Sequence, residues 1–143
     1  MANLKITCLD CAQGNRVPAE KLGSGAKCGT CGAPLLVNKP AEVDMKFLTK
    51  AARTDDLPLV VDFWAPWCGP CRMMAPEYAK AAVALKGTAR LVKINTEDHP
   101  AASQKYNIRG IPMLAMFKGG KETARQAGAQ PAAGIVSWVK AKA

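Results

Sequence analysis

Histidine is almost absent from this 143-residue chain, which contains only His99. Aromatic residues make up just 6% of it. No apolar run approaches the ~20 residues a membrane-spanning helix needs; stretches such as Pro112–Phe117 are far too short. The opening MANLKITCLD has no apolar block and no small-residue cleavage pattern, so cytoplasmic residence and no membrane partner are expected. Lysines and arginines never stand side by side. The formal charge is nevertheless +9, with five cations against two acids in residues 1–40 and fifteen against nine beyond them. Charge spread this way describes a generally basic surface, and without a Lys/Arg cluster no nucleic-acid partner is expected.

Six cysteines stand out against these absences. They fall as three C-x-x-C pairs, Cys8/Cys11, Cys28/Cys31 and Cys68/Cys71. With cytoplasmic residence expected, paired spacing points to metal binding and thiol redox rather than to a disulfide framework. Apolar residues reach 49%, enough for one packed core with a small appendage.

Composition changes near residue 38. Residues 1–37 hold four cysteines and several glycines but few large apolar side chains. So small a segment needs a staple to fold. Two domains are therefore expected, residues 1–38 and residues 39–143, joined at Asn38–Lys39–Pro40. From Ala41 onward, strand-like and helix-like runs alternate. A short strand is predicted at Ala41–Val43. Asp44 caps a helix running to about Arg53, with Val43, Phe47, Leu48 and Ala51 on one side. Leu57–Trp64 reads as a strand buried on both faces. A helix from about Cys68 to Lys86 contains Pro76, which should bend it, and Gly87 closes it. Arg90–Asn95 is the next strand, and Pro100 opens a helix to about Tyr106. Pro112–Phe117 and Glu122–Ala127 form a hairpin around Gly119–Gly120. A last helix spans about Pro131–Ala141, with Ile135, Trp138 and Val139 as its apolar contacts. The order β-α-β-α-β-α-β-β-α implies an α/β fold with a mixed sheet.

Cys8 and Cys11, then Cys28 and Cys31 after sixteen intervening residues, place four thiolates within reach of one tetrahedral Zn²⁺. Each two-residue gap makes a tight turn whose amides donate to sulfur. Gly29 and Gly32 stand where positive φ is expected. The metal would supply the folding energy that the segment lacks. By geometry the same four sulfurs suit a rubredoxin-like iron site equally; the expected cytoplasmic setting favours zinc.

Cys68-Gly-Pro-Cys71 follows directly on the buried strand and opens a helix. The free amides and dipole at a helix N-terminus stabilise a thiolate on its first cysteine, and Arg72 adds positive charge. Cys68 is thus expected to be the exposed nucleophile and Cys71 the more buried resolving thiol. A metal here would lack a second ligand pair. His99 reads as a helix-start residue, and Met73, Met74, Met113 and Met116 as packing residues.

VDFWAPWCGPC at residues 61–71 resembles the active-site signature of the thioredoxin family. Ile108-Arg-Gly-Ile-Pro112 resembles the family's cis-proline loop, and Gly128 its glycine after the last strand. With the N-terminal cysteine pairs, the whole chain resembles the zinc-containing thioredoxin 2 branch. The resemblance implies a thioredoxin fold with a small zinc-ribbon-like domain before it. It implies that Cys68 attacks a substrate disulfide and that Cys71 then resolves the mixed disulfide. Asp62 would be the buried carboxylate that moves the Cys71 proton, and Lys93 its partner. Taken alone, Asp62 reads as a buried acid satisfying backbone amides and Lys93 as a solvated strand lysine. Trp67, Gly69, Pro70, Ile111, Pro112 and Gly128 would shape the substrate surface, with a cis peptide before Pro112. Trp64 is expected in the core. Gly69 and Pro70 imply a reductase rather than an oxidant or isomerase.

The implied partners are disulfide-containing protein substrates and an NADPH-dependent flavoprotein, thioredoxin reductase. One Zn²⁺, structural or redox-labile, no organic cofactor and a monomeric state complete the expectation. The alternative is a zinc-dependent binding or chaperone module with the thioredoxin domain as scaffold. Two departures from the family pattern, Met113 after the proline and the positive net charge, bear on which partners are recognised.

Overall fold

Alternating apolar and polar residues in Asn3–Thr7 and Gly14–Pro18 build the first two strands, β1 and β2, in a computed structural model describing residues 3–143. The strands pair antiparallel, with Ile6 and Val17 turned inward. This hairpin was not expected from the cysteine-rich segment, whose few apolar residues give only a short period-2 signal. Ile6, Val17, Leu35, Cys8 and Cys28 bury themselves together with Leu57 from the larger domain.

The rest of the chain follows the expected order. Its elements are β3 (Ala41–Glu42), α1 (Met45–Thr54), β4 (Leu59–Trp64), α2 (Gly69–Ala84) and β5 (Arg90–Asn95). They continue with α3 (Pro100–Lys105), β6 (Met113–Lys118), β7 (Lys121–Ala127) and α4 (Ala132–Lys142). The sheet order is β3-β5-β4-β6-β7. β4 runs parallel to β5 and antiparallel to β6. One face carries α1 and α3, with Phe47, Leu48, Val61, Phe63 and Ile94 in its core. The other carries α2 and α4, with Val60, Met74, Tyr78, Leu114 and Ile135.

Boundaries shift where local chemistry overrides composition. β4 begins at Leu59 rather than Leu57, because Pro58 has no amide for a strand ladder and Leu57 packs into the N-terminal core instead. The Asp44 carboxylate accepts from Phe47 N at 2.9 Å, as an N-cap should. α2 runs through Pro76 and ends at Ala84, with Gly87 beyond it at φ +86°. Gly119 and Gly120, at φ +61° and +82°, make the β6–β7 turn. At Gly120 a Cβ would also lie 3.1 Å from the Arg53 carbonyl oxygen. α4 has no capping side chain of its own; Glu77 on α2 accepts from Ala132 N at 2.9 Å and ties the two helices.

The two domains meet through a buried polar clasp. Asp55 Oδ1 accepts from Thr7 N at 2.9 Å and Thr7 Oγ1 at 2.6 Å. Its Oδ2 accepts from Arg90 Nη1 at 2.6 Å. Arg90 Nη2 donates to the carbonyls of Thr7 (2.9 Å) and Leu35 (3.2 Å). Burial pushes the Asp55 carboxyl up and the Arg90 guanidinium down, each opposed by the other's charge. A second, outer tie pairs Lys5 and Asp56 through backbone and carboxylate.

Candidate functional site

Two knuckles of the same design hold the four N-terminal cysteines. Ala12 N donates to Cys8 O at 3.0 Å, and Gly32 N to Cys28 O at 2.9 Å. Cys8 N donates to Gln13 O and Cys28 N to Ala33 O, at 2.9 and 2.8 Å. In each turn one amide reaches the first sulfur at 3.4 Å, Asp10 N to Cys8 Sγ and Thr30 N to Cys28 Sγ. Gly32 has the expected positive φ, +80°. Gly29 does not; the matching strained position is Ala12, at φ +62°, since each knuckle reverses at the residue after its second cysteine. Gly29 instead donates its amide to Asn15 Oδ1 at 2.9 Å.

The four sulfurs converge within 4.8 Å of one another. Cys8 and Cys31 Sγ are 3.5 Å apart, and Cys11 and Cys28 Sγ 3.7 Å. A zinc ion with sulfurs at 2.3 Å in a tetrahedron requires S–S edges of about 3.8 Å. The all-thiolate donor set and its spacing therefore suit zinc.

The third pair lies at the β4–α2 junction. Cys68 is the N-cap of α2, and its Sγ accepts from Cys71 N at 3.2 Å. A helix-terminal amide thus faces the sulfur that would become the thiolate. Cys68 and Cys71 are joined in a disulfide. Both are buried, Cys68 at 5% exposure and Cys71 at 2%, so the nucleophile expected to be exposed is itself covered. Its sulfur is drawn in beside Ile111, 3.8 Å from that carbonyl oxygen. Trp67 supplies the exposed surface here, at 67%. Arg72 turns back to donate to Pro66 O at 2.8 Å, bracing the Trp67 segment.

The Ile111–Pro112 peptide is cis. Its loop is anchored from both sides. Gly128, at φ +88°, donates its amide to Pro112 O at 3.0 Å. Arg125 on β7 donates to Tyr106 O (2.7 Å) and Asn107 O (3.1 Å), and is itself held by Glu122. Sequence reasoning missed Arg125, because its role depends on a contact from β7 back to the end of α3.

Asp62 is fully buried, and neither of its oxygens has a hydrogen-bond partner. The backbone amides that would satisfy an ordinary buried acid are not there. Burial pushes its carboxyl up to about 7, against the opposing pull of Lys93. Lys93 stands beside it in the β4–β5 register, but its ammonium sits 4.5 Å from the Trp64 ring centre. Trp64 is half-buried and lines a cleft, rather than lying in the core. Gly69 and Pro70 form the first turn of α2 between the two thiols.

A family model described as thioredoxin matches residues 40–141, and one described as thioredoxin 2, N-terminal, matches residues 7–33. The chain belongs to the thioredoxin family. The second match places a zinc-ribbon domain ahead of the thioredoxin domain. Thioredoxin C-3 of Corynebacterium nephridii is 39% identical over 94% of this chain and 92% of its own length. Thioredoxin 1 of Nostoc sp. is 49% identical over 53% of this chain and 71% of its own. Among solved structures, chloroplastic thioredoxin z superposes with a TM-score of 0.66. It is 31% identical, and the match covers 74% of this chain and 96% of that one. Family membership makes the protein a thiol–disulfide oxidoreductase. Among the described residues no helix is long and apolar enough to cross a membrane.

Proposed function

We propose that this protein reduces disulfides in other proteins through Cys68 and Cys71. Support comes above all from the helix-terminal amide 3.2 Å from Cys68 Sγ. In the reduced form, the Cys68 thiolate attacks one sulfur of the substrate disulfide, and the other leaves as a thiolate that takes up a proton. Cys71 then loses its proton to the Asp62 carboxylate and attacks Cys68. The Cys68–Cys71 bond forms, the Cys68–substrate bond breaks, and the substrate departs with two electrons. Asp62 suits this exchange because its raised proton affinity lies close to neutral pH. The exposed Trp67 face and the Ile111 backbone beside the thiols suit an extended substrate segment that pairs edge-on. Gly69, Pro70, Pro112 and Gly128 shape the floor and rim of that surface.

The oxidised form is returned to the dithiol by NADPH through thioredoxin reductase, in the cytoplasm. One zinc per chain is held by Cys8, Cys11, Cys28 and Cys31, within domains bounded at residues 38 and 39. Reductase-coupled insulin reduction, with metal content measured on the same sample, tests the reading. Turnover with one zinc per chain, and a reduction potential near the ~−270 mV typical of thioredoxins, is the expected result. A potential near about −120 mV would identify an oxidant instead.

A further inference from the structure

Three neighbouring strands align an acid, a cation and an acid. Glu42 on β3 pairs in register with Lys93 on β5, and Lys93 pairs with Asp62 on β4. Laterally paired residues project to the same face of a sheet. The three side chains thus form a row running from the exposed sheet edge to a buried carboxyl without a hydrogen-bond partner. Lys93 makes no hydrogen bond or salt bridge that fixes it to Asp62 alone; its ammonium rests over Trp64. Glu42 and Trp64 both line a cleft of about 540 Å³ between the thioredoxin domain and the first zinc knuckle. Trp64 is four residues from the Cys68 thiol.

We propose that Glu42 is a positioning residue for the resolving step: its carboxylate competes with Asp62 for the charge of Lys93 and so keeps Asp62 basic enough to accept the Cys71 proton. The inference rests on the reading of Asp62 as the base for Cys71. Two strand spacings separate the outer members of the row, about 10 Å. At that range a charge acting partly through protein, where screening is weak, alters a proton affinity measurably. The groups facing Asp62 are Lys93 from β5, Glu42 from β3 and Tyr78 from α2. Lys93 holds its carboxyl down, whereas Glu42 adds to the upward push of burial. Facing Glu42 are Lys93, then Asp98 and His99 beyond β5, Asp44 and Lys46 at the start of α1, and Asp10 of the knuckle. Burial raises the Glu42 carboxyl; Lys93, the Trp64 indole and His99 oppose this, and Asp98 reinforces it. Unlike Asp10, Asp44 and Asp98, Glu42 pairs in register with Lys93, on the strand side opposite Asp62.

The step moves one proton and one electron pair. Cys71 gives its proton to Asp62 as its sulfur displaces the substrate sulfur from Cys68. Without Glu42, Lys93 serves Asp62 alone, so Asp62 becomes a weaker base. The test uses the full-length, zinc-loaded, reduced protein. The Asp62 carboxyl is titrated by carbon NMR, and resolution of a mixed disulfide with a thiol-reactive peptide is timed across pH 5–9.

Glu42→Gln is expected to lower both midpoints by about half a pH unit. Glu42→Asp should recover most of the shift, and Lys93→Gln should move the Asp62 midpoint the opposite way. Unchanged or raised midpoints in Glu42→Gln would overturn the inference. The titration reads Asp62 without turnover. Failure of insulin reduction in the unaltered protein would therefore count against the proposed function, whereas an unmoved titration in an active protein counts against Glu42 alone.

Discussion

The two domains use six cysteines in opposite ways. In the N-terminal ribbon four sulfurs are drawn together by paired turns, and their convergence stands in for a core. Ile6, Val17 and Leu35 are its main buried aliphatic residues, and even these share Leu57 with the neighbouring domain. In the thioredoxin domain the core is complete on both faces of the sheet. Its two cysteines are not needed to hold that core, and they sit in the first turn of a helix. The same C-x-x-C spacing therefore yields a turn suited to a metal staple in one context and a pair suited to thiol exchange in the other. What differs is the element that follows. A reversal at Ala12 or Gly32 aims both sulfurs inward at a shared point, whereas α2 presents one sulfur at its end and carries the other into the protein.

The sharpest way to break this contrast is to exchange the roles. Cys68→Ser should abolish disulfide reduction, while Cys71→Ser should accumulate mixed disulfides with substrates. A reductase-coupled assay and non-reducing electrophoresis read these outcomes. Serine at Cys8 or Cys28 should instead leave the reaction at Cys68 in place and strip the metal. Losing zinc, by substitution or by a strong chelator, should cost the ribbon on the order of 10 kcal/mol. The ribbon amides should then lose hydrogen-exchange protection while those of β4 and α2 keep theirs. Retained protection in β1 and β2 without metal would show that the ribbon has a sufficient core after all.

The join between the domains is expected to respond next. Arg90→Met leaves the Asp55 carboxylate buried without its cation and the Thr7 and Leu35 carbonyls without their donor. Breaking a buried pair in this way costs about 3–5 kcal/mol. Urea denaturation should show that loss, and the Asp55→Asn/Arg90→Met double variant should recover part of it. A loss under about 0.5 kcal/mol would place the clasp among ordinary surface pairs.

Asp62 provides an effect of opposite sign and no greater size, tied to pH. Its native carboxyl is raised to about 7, against about 3.9 when unfolded. Between these values the native state binds more proton than the unfolded state, so stability falls as pH rises through pH 4–7 and stays low above it. Asp62→Asn should therefore stabilise the protein at pH 8, by up to about 4 kcal/mol, and by much less at pH 4. The same substitution should slow resolution of the mixed disulfide. Equal effects on stability at both pH values would show that Asp62 is not held protonated by burial.

Much of this arrangement was legible in the residues. The thioredoxin elements follow from local signals: the Asp44 cap, the apolar run before Cys68, the paired glycines of the hairpin. The convergence of Cys8, Cys11, Cys28 and Cys31 follows from spacing. Strand ends that depend on an amide, such as Leu59 after Pro58, were displaced from the apolar run. Contacts across long separations left no local trace. Asp55 and Arg90 carry no local signal of the clasp, which exists only because the fold brings Thr7 between them. Arg125 and Glu42 likewise acquire their surroundings only through sheet order. The partner of Asp62 was the subtlest case, because register places Lys93 beside it while the ammonium settles on Trp64.

Removing the ribbon altogether, in a truncation beginning at Lys39, should have the smallest effect on chemistry. The clasp engages Asp55 and Arg90, which precede β4 and open β5, whereas Cys68 follows the far end of β4. One strand of six residues, about 20 Å, separates the two. Truncation removes the Thr7 and Leu35 partners of the clasp, but it also admits water to Asp55 and Arg90, so the pair becomes an exposed one rather than a broken buried one. The lost apolar contact at Leu57 and the opened seam should lower stability. The catalytic strand–helix junction, the Ile111–Pro112 loop and the Arg125 anchor all remain. The truncated protein should fold by circular dichroism and reduce insulin within about tenfold of the full-length rate, a change of less than ~1.4 kcal/mol in the barrier. A truncation that folds yet loses several orders of magnitude would mean that the ribbon contributes to the reaction itself, and would place the first knuckle beside Glu42 and Trp64 at the centre of that contribution.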